Sequence, residues 1–468
     1  MLKLLIGHKT NKLNSLLKYL VAAIILAVPL YPKFPLFPIP GTYVAVRLED
    51  FLIFLVSVIW FIREIPNIPK LLKNNVVQAI LIFLLVALVS VVSGIFLTET
   101  VVSHLGILHW LRRLEYLMGF FIGLTLLKSR ENLGFYIKCL FIVVFILFIY
   151  GLGQKYLNWP IITTQNYEYS KGIALRFTPE AHIPSTFAGH YDLATFLILV
   201  SPLFFTIFFL VKDKISKFYV LFTILLGFWL LVNAVSRISI VSYLLSVSLV
   251  LILIRKYKAI PVVIFASVLF MSFSTNLVDR YTQVFQVTIK KVMEGRNKLN
   301  MLPYAPIAFA QEEVLKLPER RGGGDTPTPA ATAVFEDRST SIRFNVEWPR
   351  AIRAFLKNPI LGTGFSSITL ATDNHYLRLL GEVGVLGFMS FFLIFLRIGT
   401  IFYKTLPTFG TLNFRESFLA GIIASIPGIF LNAVFIDVFE ASKFAIIFWL
   451  FVGLAVSVAK KVNNDDYS

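Results

Sequence analysis

Cysteine occurs once in the 468 residues, at Cys139, so no disulfide can form within the chain and no cysteine cluster can hold a metal. Charge is scarce as well. Only 15% of residues are Asp, Glu, Lys or Arg, against roughly 25% in an ordinary soluble domain. Three catalytic signatures are missing: a Walker-type glycine loop ending in Lys-Ser/Thr, a His-Glu-x-x-His zinc helix and a Gly-x-Ser-x-Gly elbow. ATP-driven chemistry and metallohydrolysis therefore lack support, and neither a metal nor a cofactor is expected.

What is present is apolar bulk. Hydrophobic residues make up 57% of the chain and 46 residues are Phe. Apolar stretches of roughly 16 to 22 residues recur along it, close to the length that crosses a bilayer core as a helix. They lack the alternation of a membrane β-barrel. The expected fold is an all-α integral membrane protein, one polytopic domain over 1–468. About twelve spans are expected, near 16–31, 49–62, 76–96, 111–127, 134–153, 192–211, 218–235, 238–254, 259–274, 384–402, 416–433 and 443–458. Residues 218–254 would reach roughly 55 Å as a single helix, too long for one crossing. The chain is expected to turn there at Ser236-Arg237-Ile238-Ser239.

Lys and Arg positions give an orientation. With the N-terminus inside, cytoplasmic segments collect Lys3, Lys9, Lys12, Arg63, Lys70, Lys73, Lys128, Arg130, Lys212, Lys214, Lys217, Arg255, Lys256, Lys258, Lys460 and Lys461. The opposite loops carry few cations, Arg112 and Arg113 being the main exception. Both termini are expected in the cytoplasm, and the net charge of +18 is met by topology and anionic headgroups without nucleic acid. The first apolar segment runs into VPLYPKFPLFPIPG, with no small-residue cleavage site, and is expected to be retained. Two extracytoplasmic segments are long, 155–191 and 275–383. The second contains a Gly-, Pro- and Thr-rich insertion near 318–340, expected to be flexible.

The candidate chemistry lies in the second segment, where NPILGTGFSSITLATDNHYLRLLGEVGVLG crowds polar residues against an apolar helix. Pro359, Gly362 and Gly364 shape a loop and allow close backbone approach. His375 is a proton-transfer candidate, since imidazole titrates near neutral pH. Asp373 and Glu382 are rival bases or orienting partners. Among arginines, Arg237 sits at a tight hairpin tip, where an anion clamp and a cation snorkelling to headgroups are both readings. Arg176 precedes a small-residue loop that could hold phosphate oxygens. Arg343 opens SIRFNVEWPRAIRAFLKNP, which reads as a short amphipathic helix on the bilayer surface.

The blocks WPRAIRAFLKNPILGTGFSS and DNHYLRLLGEVGVLGFMSFFLIF, with SRIS at 236–239 and RFTPEAHIPSTFAGHYDLATF, resemble the O-antigen ligase and O-antigen polymerase superfamily. The resemblance implies a glycosyltransferase of the bacterial cytoplasmic (inner) membrane, with a fold similar to the GT-C-like transferases of lipid-linked sugars. Its donor would be a glycan on a polyprenyl diphosphate. The acceptor would be a hydroxyl of a glycolipid, protein or wall polymer for a ligase, or a second lipid-linked glycan for a polymerase. By the same resemblance Arg237 and Arg343, with Arg176, look like diphosphate-binding residues and His375 like the activator of the acceptor. The family pattern has histidine immediately before the asparagine. Here Asp373 fills that slot and His375 follows Asn374, so His375 can replace it only if the segment is unwound, and Asp373 is the alternative base. A transporter of lipid-linked glycan is the rival from another class. The sequence shows neither an inverted repeat nor a midplane pair of broken helices, which counts against it.

Overall fold

The computed structural model describes residues 2–32, 35–39, 45–126, 130–160, 182–272, 342–369, 371–406 and 413–465. Fourteen α-helices are described: α1 (Leu2–Leu30), α2 (Leu48–Glu64), α3 (Ile68–Leu72), α4 (Asn75–Phe96), α5 (Ser103–Leu126), α6 (Arg130–Tyr156), α7 (His190–Leu210), α8 (Lys214–Asn233), α9 (Arg237–Leu253), α10 (Ala259–Ser272), α11 (Trp348–Lys357), α12 (His375–Thr405), α13 (Phe414–Ala433) and α14 (Ser442–Asp465). A π-helical turn, Arg343–Glu347, leads into α11. Two short antiparallel strands, β1 (Pro35–Pro38) and β2 (Ala45–Arg47), join α1 to α2.

Helix starts follow capping chemistry. Asn74, Asp213, Ser236, Asn374 and Asn413 each accept a backbone N–H from the first turn that they open, relieving donors that would otherwise be orphaned. The Ser236 cap explains why the long apolar stretch turns where it does, between Asn233 and Arg237.

Every expected span overlaps a described helix, but the count of twelve needs qualification. Among the described residues, nine helices are long and apolar enough to cross a membrane, one of them running from α2 through α3. Helices α9 and α10 are shorter apolar segments, and α5 carries His104, His109, Arg112, Arg113 and Glu115 within its first thirteen residues. These α5 cations account for the exception to the charge asymmetry. Arg112 pairs with Asp50 at 3.3 Å and Arg113 pairs with Glu440, so both are neutralised inside the bundle rather than displayed on a loop.

Helix α14 is the centre of the bundle, with every residue from 442 to 459 buried. It packs on α5, where a Cβ at Gly119 would lie 2.8 Å from the Ile446 carbonyl oxygen. With Gly123 one turn on, this is the small-residue approach that lets membrane helices touch backbone to backbone. Helix α13 packs against α7 and α9, and α12 against α4 and α11.

One end of the bundle is tied together by polar bonds. Lys443, at the start of α14 and fully buried, donates to the carbonyls of Pro29 (3.1 Å), Tyr31 (2.7 Å) and Thr186 (2.8 Å). Asn432, near the end of α13, donates to Thr195 of α7 at 2.7 Å and accepts from Ser239 of α9 at 3.0 Å.

The helix expected to begin at residue 384 begins at His375 and is broken at Gly384 (φ 64°, ψ −171°). The sequence shows no midplane pair of broken helices, and this single break was not anticipated. The break is filled by the loop before it. Thr363 and Gly364 donate to the carbonyls of Gly381 (2.9 Å) and Glu382 (2.8 Å), while Val385 and Leu386 donate to those of Pro359 (2.9 Å) and Ile360 (3.2 Å). These are the groups a continuous helix would have paired internally. Irregular backbone inside a membrane protein persists only where its polar groups are satisfied in this way. Ser90 of α4 adds a bond to the Glu382 carbonyl at 2.8 Å, and Thr100 one to the Thr363 carbonyl at 2.7 Å.

Candidate functional site

Pro359, Gly362 and Gly364 lie in the loop that fills the break, where Gly362 and Gly364 take positive φ (71° and 88°). Gly362 (φ +71°) and Gly384 meet directly: a Cβ on Gly384 would lie 2.5 Å from the Gly362 nitrogen. Both positions combine left-handed backbone with no room for a side chain. The loop then returns through Thr372 and Asp373 to Asn374, which caps α12 by accepting from Tyr376 (3.1 Å) and Leu377 (3.0 Å). Residues 371–374 are therefore not helical, and Asp373 takes φ 47°.

This unwinding separates the two candidate bases. Asp373 meets Arg343, whose Nη2 and Nε lie 2.9 Å and 3.1 Å from Oδ2 of the carboxylate. The same guanidinium reaches the Tyr191 hydroxyl in the first turn of α7 at 3.5 Å. Burial works against the Arg343 cation, but the Tyr191 hydroxyl and the Asp373 carboxylate outweigh it and raise its pKa above the ordinary arginine value.

His375 turns the other way. It is 3% exposed, and its ring nitrogens have no hydrogen-bond partner among the described residues. It lines a cavity together with Arg113, Arg378, Glu382, Glu440 and the rings of Phe365, Phe391 and Phe439. Inside that cavity Arg378 is the hub, 3.1 Å from Asp437, 3.6 Å from Glu382 and 3.9 Å from Glu440. Burial acts to raise the Glu440 pKa, yet the guanidinium groups of Arg113 and Arg378 hold it well below the usual carboxylate range. Glu382, expected at the start of the helix, lies instead in its third turn, buried just before the break.

Arg237 stands half-buried on the first turn of α9, with its neighbour Ser236 bonded to Ser239 at 2.6 Å. Ser239 connects through Asn432 to Thr195, one turn along α7 from Tyr191. Arg237 and Arg343 thus stand at the same end of the bundle, on elements joined by one polar chain. Arg176 and the insertion near 318–340 lie outside the described residues. Asp437, Glu440, Tyr191, Arg378 and Arg113 were given no site role in the sequence reading. The signal for two of them was the acidic stretch Asp437 to Glu440, set between two apolar spans.

Taken together, the apolar helices and the polar groups buried among them define a predominantly helical, multi-pass membrane protein. Residues 222–392 match the family model described as O-antigen ligase, and the resemblance to the O-antigen ligase and polymerase superfamily holds over that segment. The match runs from α8 to the middle of α12 and takes in Arg237, Arg343, Asp373, His375 and Glu382. No curated protein matches the chain.

Proposed function

We propose that this protein transfers a glycan from a polyprenyl-diphosphate carrier to an acceptor hydroxyl, at the end of the bundle where Arg343 and Asp373 meet. By the distribution of Lys and Arg, that end faces away from the cytoplasm, and the protein sits in the bacterial inner membrane. The observation that carries the reading is the juxtaposition of a buried guanidinium and a carboxylate, at 2.9 Å, within the segment that matches the O-antigen ligase family.

The chemistry needs little else. The acceptor oxygen attacks the anomeric carbon, the bond to the diphosphate oxygen breaks, and the hydroxyl proton goes to the Asp373 carboxylate. Arg343, with Arg237 and Arg176, neutralises charge growing on the departing polyprenyl diphosphate. Phosphate oxygens on Arg343 take N–H groups that Asp373 now holds, releasing the carboxylate toward the acceptor. With the base opposite the leaving group, a single displacement inverts the anomeric centre. His375 and Glu382, enclosed with Arg378 and Glu440, serve the scaffold beneath this site.

A ligase acting on a glycolipid, protein or wall polymer is the preferred form. A polymerase would use the same groups with a second lipid-linked glycan as acceptor. Transport is less well supported, because the backbone groups released by the break at Gly384 are taken up by the chain's own loop rather than left for a substrate. The test is the full chain in liposomes with lipid-linked donor and each acceptor in turn. The expected result is acceptor-bound glycan with release of polyprenyl diphosphate; translocation of the intact glycolipid with no bond transferred would overturn the reading.

A further inference from the structure

The backbone on both sides of Asp373 is gripped by one residue far along the chain. Asp437, 4% exposed between α13 and α14, accepts the N–H of Thr372 on Oδ2 at 2.8 Å and the N–H of Asn374 on Oδ1 at 3.2 Å. Its Oδ2 also accepts from Arg378 Nη1 at 3.1 Å. Arg378 is itself fixed, through Ile368 (3.4 Å to its carbonyl), Glu382 and Glu440.

The residue between those two amides, Asp373, has a left-handed backbone, a conformation that ordinary side chains resist. Something must hold it there. On one side Asn374 is committed to capping α12, and on the other Thr372 is 1% exposed and hydrogen-bonded to Asp437. With both neighbours pinned, the Asp373 side chain is turned to Arg343. The negative Asp437 also suits its place at the N-terminal end of α12.

From this geometry we infer that Asp437 is a positioning residue, whose carboxylate clamps the amides of Thr372 and Asn374 and so holds Asp373 against Arg343. The inference rests on the proposed function, in which Arg343 receives the donor diphosphate. Asp437 lies beyond the segment that matches the O-antigen ligase family, so this part of the site is supplied by the chain's last helical hairpin.

A binding cycle separates positioning from stability. Asp373 and a diphosphate compete for Arg343, so loosening Asp373 should strengthen diphosphate binding, an outcome that misfolding does not produce. The affinity for inorganic diphosphate is measured on the full-length protein in detergent, for the native chain, Asp437→Asn, Asp373→Asn and the double variant. Asp437→Asn is expected to tighten binding by about three- to tenfold when Asp373 is present, and by less than about twofold in the Asp373→Asn background. Unchanged or weaker binding in Asp437→Asn, or equal tightening in both backgrounds, overturns the inference. Should Asp437→Asn fail to fold, Arg378→Lys, which keeps the charge but loses the fork that grips Asp437, is read in the same cycle with the same expectation. Arg343→Ala distinguishes the two levels. Binding that survives it removes the donor-site reading and this inference together, whereas Arg343-dependent binding with no effect of Asp437→Asn removes the inference alone.

Discussion

Arg343 and Asp373, thirty positions apart in the chain, meet at 2.9 Å where a π-helical turn faces an unwound helix start. His375, only two residues further on, shares none of that contact and lines a cavity with Arg113, Arg378 and Glu440. These separate surroundings are the basis for the different roles proposed for the two residues, and the glycine-lined loop and the buried ion pairs around them can be tested by substitution.

The splice between the loop and α12 depends on the absence of a side chain at Gly384. Gly384→Ala combines left-handed backbone, about 1–2 kcal/mol for a non-glycine residue, with a Cβ driven into the Gly362 nitrogen, typically a further ~1–3 kcal/mol. The expected outcome is a thermal unfolding midpoint lowered by several degrees for the purified protein, with Gly399→Ala, where the added Cβ meets nothing, unchanged. Equal midpoints for the two variants would show that the contact is not strained.

Lys443 is the fully buried cation joining the start of α14 to the end of α1 and to the Thr186 carbonyl. Lys443→Met keeps most of the volume but strips a donor from three carbonyls, each worth about 1–3 kcal/mol when left unsatisfied. Yield of monodisperse protein in mild detergent should fall sharply, well below that of Lys357→Met on the exposed side of α11. Normal recovery of Lys443→Met would mean that water replaces the ammonium without loss.

The acid side of the stability curve should register Glu440. Its folded pKa is depressed, so its contribution is present above the unfolded value of about 4.3 and is lost only as pH falls from there toward the folded value. Glu440→Gln removes the partner of buried Arg113 and should cost about 3–5 kcal/mol at neutral pH. In denaturant unfolding, the gap between native and variant is expected to stay constant from pH 8 to 5 and to narrow below about pH 4. A gap that closes between pH 8 and 6 contradicts the arrangement.

Much of this architecture was legible in the sequence because bilayer physics leaves few options: apolar length marks helices, and the polar interruption Ser236 to Ser239 marks the turn in a stretch too long for one crossing. Pro359, Gly362 and Gly364 announced a tight loop. Its partner did not announce itself, since Gly384 falls where the apolar span was expected to begin, and the polar residues before it gave no sign of a preceding helical segment. The displacement in Asp373-Asn374-His375 was visible, but its consequence needed the backbone, because only the left-handed φ at Asp373 sends the two side chains apart. Asp437 and Arg113 were out of reach for another reason. Their partners lie 59 to 327 positions away, and no local pattern encodes such a pairing.

The most direct measurement compares Arg343→Ala, Asp373→Asn and His375→Gln in liposomes containing lipid-linked donor and acceptor, at matched amounts of folded protein. General-base removal ordinarily costs about 100- to 10,000-fold, so Asp373→Asn should fall by at least 100-fold. Arg343→Ala should fall by a similar factor, and His375→Gln should keep transfer within about tenfold of native. Near-native transfer by Asp373→Asn, with transfer abolished in His375→Gln, would contradict the account and move the base into the cavity that His375 lines.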